Sequence, residues 1–437
     1  MKKLLFSMAM FFAVSALTAQ EEMIKSGWNF GALPSVAFET DLGFQYGALV
    51  NLYNYGDGSR YPDYEHSLYF EVSRFTKGSG INRFYYDSDR LIKGLQTSVD
   101  ISFLSDKAYD FYGFNGYDAI VFNGFIDEES DDYISRMYYK YDRTMFRFKV
   151  DLLGRFGGDH LKWAAGLNML NFKIGPVDID KLNKGKDEDE LLPDVDGLYD
   201  KYLDWGIISE DESDGGFVPT FKAGLVYDSR DNKPNPMKGI WTEAVVLGCP
   251  EFFGAESSFA KLSLTHRQYF TIIPNDLSLA YRLGYQITIA GHVPFYYQTQ
   301  LITSVQKRYI SEGLGGSISL RGIQRNRIVG DGLFYGNVEA RWKFARFRFI
   351  NNNFYLGLNG FLDFGRITQK IEVDPKVQFL PSEQAYFDEG SEEMHYSYGA
   401  GLRIAMNQNF VVAVDYGRAL DKRDGDSGLY IGLNYLF

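Results

Sequence analysis

Alternating apolar and polar positions recur along most of the chain. Each such run predicts a β-strand, because successive side chains of a strand point to opposite faces. The clearest run is 277–290, where leucine, tyrosine and isoleucine alternate with smaller or polar residues. Sixteen strands are predicted in this way: 30–38, 42–54, 64–76, 81–90, 94–106, 143–157, 160–174, 217–229, 239–248, 257–272, 277–290, 333–349, 353–368, 394–407, 409–418 and 427–437.

The connections between these strands alternate in length. Four odd-to-even links are long: 106–142, 175–216, 291–332 and 368–394. Even-to-odd links from the sixth strand on are short, for example 157–159. An even strand number with long loops at one end is typical of bacterial outer-membrane barrels. The sequence therefore predicts an all-β fold, a 16-stranded antiparallel transmembrane β-barrel at 30–437 with both chain ends periplasmic.

The first twenty residues predict export. Lys2 and Lys3 precede an apolar run, and small residues end at Ala19. This is the pattern of a cleavable signal peptide, assigned to 1–20. Its apolar core is too short to span a membrane, and no later stretch approaches the roughly 18 apolar residues of a membrane helix. Residues 21–29 then form a short periplasmic segment, and the expected location is the bacterial outer membrane.

The composition is compatible with two classes of β-protein, a membrane barrel and a periplasmic or secreted protein. The chain is 17% aromatic, with 45 glycines and one cysteine, Cys249, for which a packing role is expected. Aromatic girdles and alternating strands suit a membrane barrel. The final run, in which Tyr435 and Phe437 continue an alternation that stops on phenylalanine, resembles the C-terminal recognition signal of outer-membrane barrels. That resemblance favours the membrane barrel.

The charge pattern excludes some partners. A net charge of −12 argues against nucleic-acid binding. Acidic residues gather in predicted outward loops, at 127–132, 187–190, 210–214 and 383–393. Such clusters are interpreted as solvated faces above membrane lipid and lipopolysaccharide, with a calcium site as the alternative. No EF-hand spacing is present.

One loop arginine has candidate partners on two strands. Arg321 lies in the long loop 291–332, while Glu339 and Asp363 fall on the polar faces of the two strands that follow. If those strands pair, both carboxylates point into one space. We therefore predict that the loop folds inward and that Arg321 pairs with Glu339, Asp363 or both.

Four short motifs carry a family resemblance. The loop motif is Leu320, Arg321, Gly322 and Ile323; the strand motifs are Gly336 to Glu339 and Phe361, Asp363 and Gly365; the turn motif is Asp228, Arg230, Asp231, Asn232, Pro236 and Gly239. In their order along the chain, with the turn motif first, they resemble the BamA/TamA superfamily of outer-membrane assembly barrels, also called the bacterial surface antigen family. Leu320 and Ile323 stand where that family usually has a valine and an aromatic residue.

The resemblance implies a role in inserting or moving other polypeptides, with client outer-membrane proteins or a separate periplasmic or surface protein as partners. Relatives carry periplasmic POTRA repeats ahead of the barrel. Residues 21–29 leave no room for one, so none is expected. The alternative is a passive pore, a lipid or solute channel, or a structural barrel without insertase activity. A third possibility is an accessory barrel that pairs with another protein.

Catalytic and metal motifs are missing from the sequence. None of the five histidines lies in a His-Glu-x-x-His pattern, and no Gly-x-Ser-x-Gly elbow occurs. The glycine-rich run 313–316 lacks the Gly-Lys-Ser/Thr of a phosphate loop. We expect no enzyme activity, no catalytic residue, no metal and no cofactor. The client or solute, the partner and the oligomeric state are left open.

Overall fold

The computed structural model describes residues 22–39, 43–302, 304, 313–377 and 379–437, so the predicted signal peptide lies outside the described residues. The strands are β1 (Trp28–Glu39), β2 (Gly43–Asn54), β3 (His66–Phe75), β4 (Gly80–Ile92), β5 (Leu95–Asp110), β6 (Lys140–Arg155), β7 (Leu161–Gly175), β8 (Phe217–Asp228), β9 (Gly239–Cys249), β10 (Phe259–Ile273), β11 (Leu277–Gly291), β12 (Gly332–Phe349), β13 (Asn352–Gln369), β14 (His395–Met406), β15 (Phe410–Ala419) and β16 (Ser427–Leu433). Four short helices lie in the connections: α1 (Ile179–Asn183), α2 (Leu198–Asp204), α3 (Phe295–Gln298) and α4 (Pro381–Gln384).

All sixteen strands form one sheet in chain order, and each strand is antiparallel to the next. The predicted all-β class and strand count are confirmed. None of the helices in the described part of the chain is long and apolar enough to cross a membrane. Strands β5 and β6 are longer than predicted, because Tyr109 and Asp110 also pair with Tyr141 and Lys140 beyond an irregularity in the register.

The last predicted strand is wrong in its final four residues. Pairing with β15 ends at Leu433, and Asn434 turns the chain with a φ of 70°. Its N–H donates to the Val411 carbonyl at 2.7 Å. Tyr435 and Phe437 are then buried, at 5% and 6% exposed, instead of alternating along a strand. Their predicted role as a recognition signal stays a prediction.

The two ends of the sheet differ in the length of the connections that they carry. The end that carries the connections 111–139, 176–216, 292–331 and 370–394 is called the long-loop end, and the opposite one the short-turn end. Described residues of these connections pack into one aromatic cluster with the adjoining strand ends, which includes Phe111, Tyr141, Tyr202, Trp205 and Phe295. Burial of these rings against one another holds the loops together at this end.

The sheet curls so that its first strands reach β15. The Phe410 ring lies so close to Gly31 that a side chain at that position would overlap it. The Tyr53 hydroxyl donates to the Asn409 carbonyl at 2.9 Å, and the Asn409 amide donates to the Pro62 carbonyl at 2.6 Å. Within the described residues no backbone ladder joins β1 to β16. The face that carries Glu339 and Asp363 is called the inner face below.

Candidate functional site

The β11–β12 connection delivers Arg321 to the inner face of β13. The Arg321 Nε donates to Asp363 Oδ2 at 2.9 Å and its Nη2 donates to Asp363 Oδ1 at 3.0 Å. The Arg321 main-chain N–H also donates to Oδ2, at 3.0 Å. This planar, two-point match between a guanidinium and a carboxylate is stronger than a single ion pair. It fixes both the side chain and the backbone of the loop at this residue.

Glu339 and an aromatic ring complete the seat of Arg321. The Arg321 Nη1 lies 2.7 Å from Glu339 Oε1, and its guanidinium carbon lies 3.5 Å from the centre of the Phe361 ring. Arg321 is fully buried. Burial alone would lower the pKa of its guanidinium, but Asp363 and Glu339 hold that pKa above its ordinary value.

Three arginines and three carboxylates form what is called the arginine cluster: Arg321, Arg341, Arg403, Glu339, Asp363 and Asp415. Glu339 is shared, since its second oxygen accepts from Arg341 Nε at 2.8 Å. Asp415 accepts two hydrogen bonds from Arg403, at 2.8 and 2.9 Å, and lies 3.5 Å from Arg321 Nη1. Equal numbers of each charge offset the large cost of burying ions.

A second layer of polar contacts holds the loop backbone. The Asn337 amide donates to the Ser319 carbonyl at 2.7 Å and to Asp363 Oδ1 at 2.8 Å. Arg282 orients that amide by donating to its oxygen at 2.8 Å, and also donates to the Ile318 carbonyl at 3.2 Å. The strands thus bind the loop on both its side chain and its main chain.

Two glycines let the loop backbone lie directly on β15. Gly322 has a φ of 97°, a conformation that favours glycine, and a Cβ there would lie 2.5 Å from the Arg418 nitrogen. A Cβ at Gly417 would lie 2.6 Å from the Arg321 carbonyl carbon. The Gly322 N–H also donates to the Tyr430 hydroxyl of β16 at 2.9 Å. The loop therefore contacts the last strand of the sheet.

The flanking residues of the motif are apolar anchors. Leu320 and Ile323 are fully buried in a cluster with residues of the loop, β12 and β13. Gly365 leaves room for this packing, since a Cβ there would lie 3.0 Å from Leu320 Cδ1. Burial of these aliphatic side chains adds to the ion pairs that seat the loop.

The segment after β16 enters the same cluster. The Phe437 carbonyl oxygen accepts from Arg341 Nη2 at 3.0 Å, and its ring centre lies 4.6 Å from the guanidinium carbon of Arg341. The Tyr435 ring centre lies 4.6 Å from the same atom and 5.0 Å from that of Arg403. Cation–π contacts of this kind stabilise buried arginines that lack a full set of anionic partners.

The turn motif forms a self-contained bend at the short-turn end. Arg230 Nε donates to Asp228 Oδ1 at 2.9 Å, and its guanidinium lies over the Trp241 ring at 4.4 Å. Asp231 Oδ1 accepts from the Met237 N–H at 3.0 Å, on the far side of Pro236.

Asn232 connects this bend to another turn, and Gly239 packs against the start of the bend. Asn232 donates to the Gln408 side chain of the β14–β15 turn at 3.2 Å. Gly239 has a φ of 102°, and a Cβ there would overlap the Ser229 carbonyl. The structure thus gathers all six motif residues in one turn.

Sequence reasoning missed half of the arginine cluster. Arg341, Arg403 and Asp415 were not singled out, and neither was Tyr430. Arg341 alternates with Trp342 two residues beyond Glu339, so its face could be assigned from the pattern. Asp415 and Arg403 stand among mostly apolar neighbours in their strands, and only their proximity in space identifies them. Within the described ranges, no three His, Cys, Asp or Glu side chains are grouped to hold a metal ion.

The sequence of this chain matches a known protein family. The model of the Omp85 superfamily domain matches residues 66–437, which is most of the chain. The chain belongs to the Omp85 superfamily. This agrees with the resemblance carried by the loop, strand and turn motifs. No curated protein sequence matches this Omp85 chain.

Solved structures resemble this Omp85 chain at low identity. CdiB from Escherichia coli has a TM-score of 0.50 and 12% identity, over 96% of this chain and 67% of that one. BamA from Haemophilus ducreyi lacking POTRA domains 1–3 has a TM-score of 0.48 and 14% identity, over 93% and 71%. CdiB from Acinetobacter baumannii has a TM-score of 0.42 and 12% identity, over 94% and 60%. At such identity the match to CdiB from Escherichia coli concerns the fold alone.

Proposed function

We propose that this Omp85 chain is an outer-membrane β-barrel that takes part in assembling or translocating other polypeptides. The long-loop end would face outward and the short-turn end would face the periplasm. Family membership supports this general role. Clients and partners would be other outer-membrane proteins, or a separate periplasmic or surface protein, in a membrane of phospholipid and lipopolysaccharide.

The outer face of the sheet supports the membrane location. Leucine, isoleucine and valine side chains stand exposed on β9, β10, β11, β13 and β14, among them Val246, Leu264, Leu279, Leu358, Leu362 and Ile404, each 38% to 46% exposed. The inner face of β12, β13, β14 and β15 carries the strand residues of the arginine cluster. An apolar outside and a polar inside are what lipid and a barrel interior require.

The observation that carries the proposal is the state of the two sheet edges. Strands β1 and β16 are the two edges of the sheet, and no backbone ladder joins them in the described residues. An unpaired edge can accept a strand from another chain. Beside that edge, the arginine cluster and Tyr430 fix the β11–β12 loop to β12, β13, β15 and β16. The loop would stabilise these strands while the unpaired edge of the sheet pairs with a strand of a client protein.

The test is depletion followed by outer-membrane proteomics, with complementation by wild type or by Arg321→Ala. We expect depletion to lower a subset of outer-membrane proteins, wild type to restore them, and Arg321→Ala to restore them incompletely. An unchanged outer membrane after depletion would contradict the proposal. Steady ionic conductance in planar bilayers together with that result would instead assign a passive pore.

A further inference from the structure

A groove at the short-turn end holds an extended piece of this chain. Residues 22–27 precede β1 and lie against the β12–β13 and β14–β15 turns. The Asn353 side-chain amide accepts from the Met23 N–H at 2.8 Å and donates to the Met23 carbonyl at 2.7 Å. One amide thus satisfies both main-chain polar groups of one residue, as a neighbouring β-strand does. This place is called the turn groove.

The residue that precedes Met23 in the segment is acidic. The Glu22 carboxylate accepts from the Tyr61 hydroxyl at 2.9 Å and from the Gln408 amide. The Asn353 amide also donates a weaker hydrogen bond to the Tyr61 hydroxyl, at 3.4 Å. The turn groove therefore binds an extended backbone at one residue and a carboxylate on the residue immediately before it.

The turn groove is not filled by this segment. A cavity of about 80 Å³ remains beside Glu22, with Lys343, Arg346 and Arg348 on its wall. That is room for several water molecules or for a further carboxylate. The three cations follow one another along the periplasmic half of β12, so the wall of the cavity is strongly basic.

Lys343 is the cation that lacks an anionic contact. Arg346 donates to Asp276 at 2.6 Å. In the part of the chain that the structure describes, no carboxylate lies within ion-pair distance of the Lys343 ammonium, whose recorded contact is the Tyr355 ring at 5.0 Å. A half-buried ammonium without a carboxylate at ion-pair distance is costly, and an incoming carboxylate at that distance would lower the cost.

We propose that the turn groove is a binding site for an extended acidic segment of a partner protein, and that residues 22–27 occupy it in the partner's absence. Asn353 reads the backbone of the segment, and Lys343 with Arg348 reads its carboxylates. This inference rests on the proposed function for one point only, which is that the partner protein lies in the periplasm. The binding itself does not depend on that function.

The experiment uses the folded full chain in detergent and a fluorescent peptide of residues 20–27 as probe. Met23→Pro removes the N–H that Asn353 accepts and so weakens the resident segment. We expect Met23→Pro to bind the peptide at least tenfold tighter than wild type. Adding Lys343→Ala to that variant should weaken binding at least tenfold, as should replacing both peptide glutamates by glutamine.

The matched control is Lys238→Ala in the same Met23→Pro chain. Lys238 is an exposed cation at the same end that does not line the cavity, so binding should not change. Each variant must keep its strand-rich circular dichroism spectrum. Three results would overturn the proposal: no saturable peptide binding to Met23→Pro, equal effects of Lys343→Ala and Lys238→Ala, or displacement by inorganic phosphate with no dependence on the glutamates. The last result would assign the cavity to a phosphate group.

The two proposals fail separately. Anisotropy of the labelled peptide requires no client protein, so absent binding with intact complementation of the depleted cell contradicts the turn groove alone. Peptide binding with an unchanged outer membrane after depletion contradicts the assembly role alone.

Discussion

At the scale of a residue, Arg321 is shared among three carboxylates. Asp363 takes two of its guanidinium nitrogens and its main-chain N–H, Glu339 takes the third nitrogen, and Asp415 lies at 3.5 Å. Removing the guanidinium leaves buried anions with fewer cations than they need. The cost of that imbalance exceeds the value of any surface ion pair.

Arg321→Ala is therefore expected to destabilise the seated loop by about 3–5 kcal/mol. The local opening free energy can be measured by hydrogen exchange of residues 313–331, and protease sensitivity of the loop should rise in parallel. The sheet as a whole should survive, because the strand ladders do not depend on this side chain. Arg321→Lys should recover only part of the loss, since an ammonium cannot match two carboxylates in a plane.

Arg423→Ala is the matched control for that change. Arg423 also contacts two carboxylates, Asp421 and Glu393, but its side chain is 45% exposed. Exposed pairs contribute about 0–1 kcal/mol. Equal loop protection in the Arg321→Ala and Arg423→Ala variants would show that the buried cluster does not hold the loop.

The residues of the cluster differ in how far the sequence alone could identify them. The alternation of apolar and polar residues fixes the face on which Glu339 and Asp363 lie. The motif around Arg321 identifies this arginine as the cation that pairs with them. Asp415 lies about fifty residues further along the chain in an apolar strand, with nothing in its neighbourhood to distinguish it. Its role follows from the curl of the sheet, which local pattern does not encode.

At the scale of an element, the β11–β12 loop and β15 touch backbone to backbone. Gly417→Ala places a methyl group against the Arg321 carbonyl carbon, and the loop must shift to accept it. We expect a loss of about 1–3 kcal/mol of loop stability, as for other overpacked contacts. Gly360→Ala is the control, because a Cβ there meets nothing within 4 Å. Similar hydrogen exchange for the two variants would contradict the close approach.

Glu339 joins the loop to the segment that follows β16. Its two oxygens bind Arg321 and Arg341, and Arg341 binds the Phe437 carbonyl. We expect Glu339→Gln to loosen both the loop and that segment. Thiol labelling of Leu436→Cys can measure the second effect, because Cys249 is buried. Glu243→Gln, at another buried inner-face glutamate, should leave the labelling rate unchanged; a rate raised equally by both would refute the link.

The strands themselves were predictable from the chain, but their ends were not. The alternation of 277–290 matches β11 closely, because large apolar residues form one face and small or polar residues form the other. The run 427–437 also alternates, yet it leaves the sheet after Leu433. Its aromatic residues find arginines on other strands, and a tertiary contact of that kind overrides local periodicity.

At the scale of the whole molecule, the proposed barrel makes a direct prediction. The folded chain in detergent should show a strand-rich circular dichroism spectrum and should migrate faster on a gel before heating than after it. Phe437→Ala should lower the amount of this heat-modifiable form without altering export, because Phe437 packs against Tyr269 and two arginines. A helix-rich spectrum, or recovery in the soluble periplasmic fraction, would exclude the barrel.

The contact between Gly322 and Tyr430 has a consequence for the order of folding. These residues are 108 positions apart, and the loop reaches its seat only on a surface built from β12, β13, β15 and β16. Contacts between distant parts of a chain form late, after their intervening elements are in place. We therefore expect docking of the loop to be a late step of folding, and a chain that stalls before β16 pairs to keep its loop free and open to proteases.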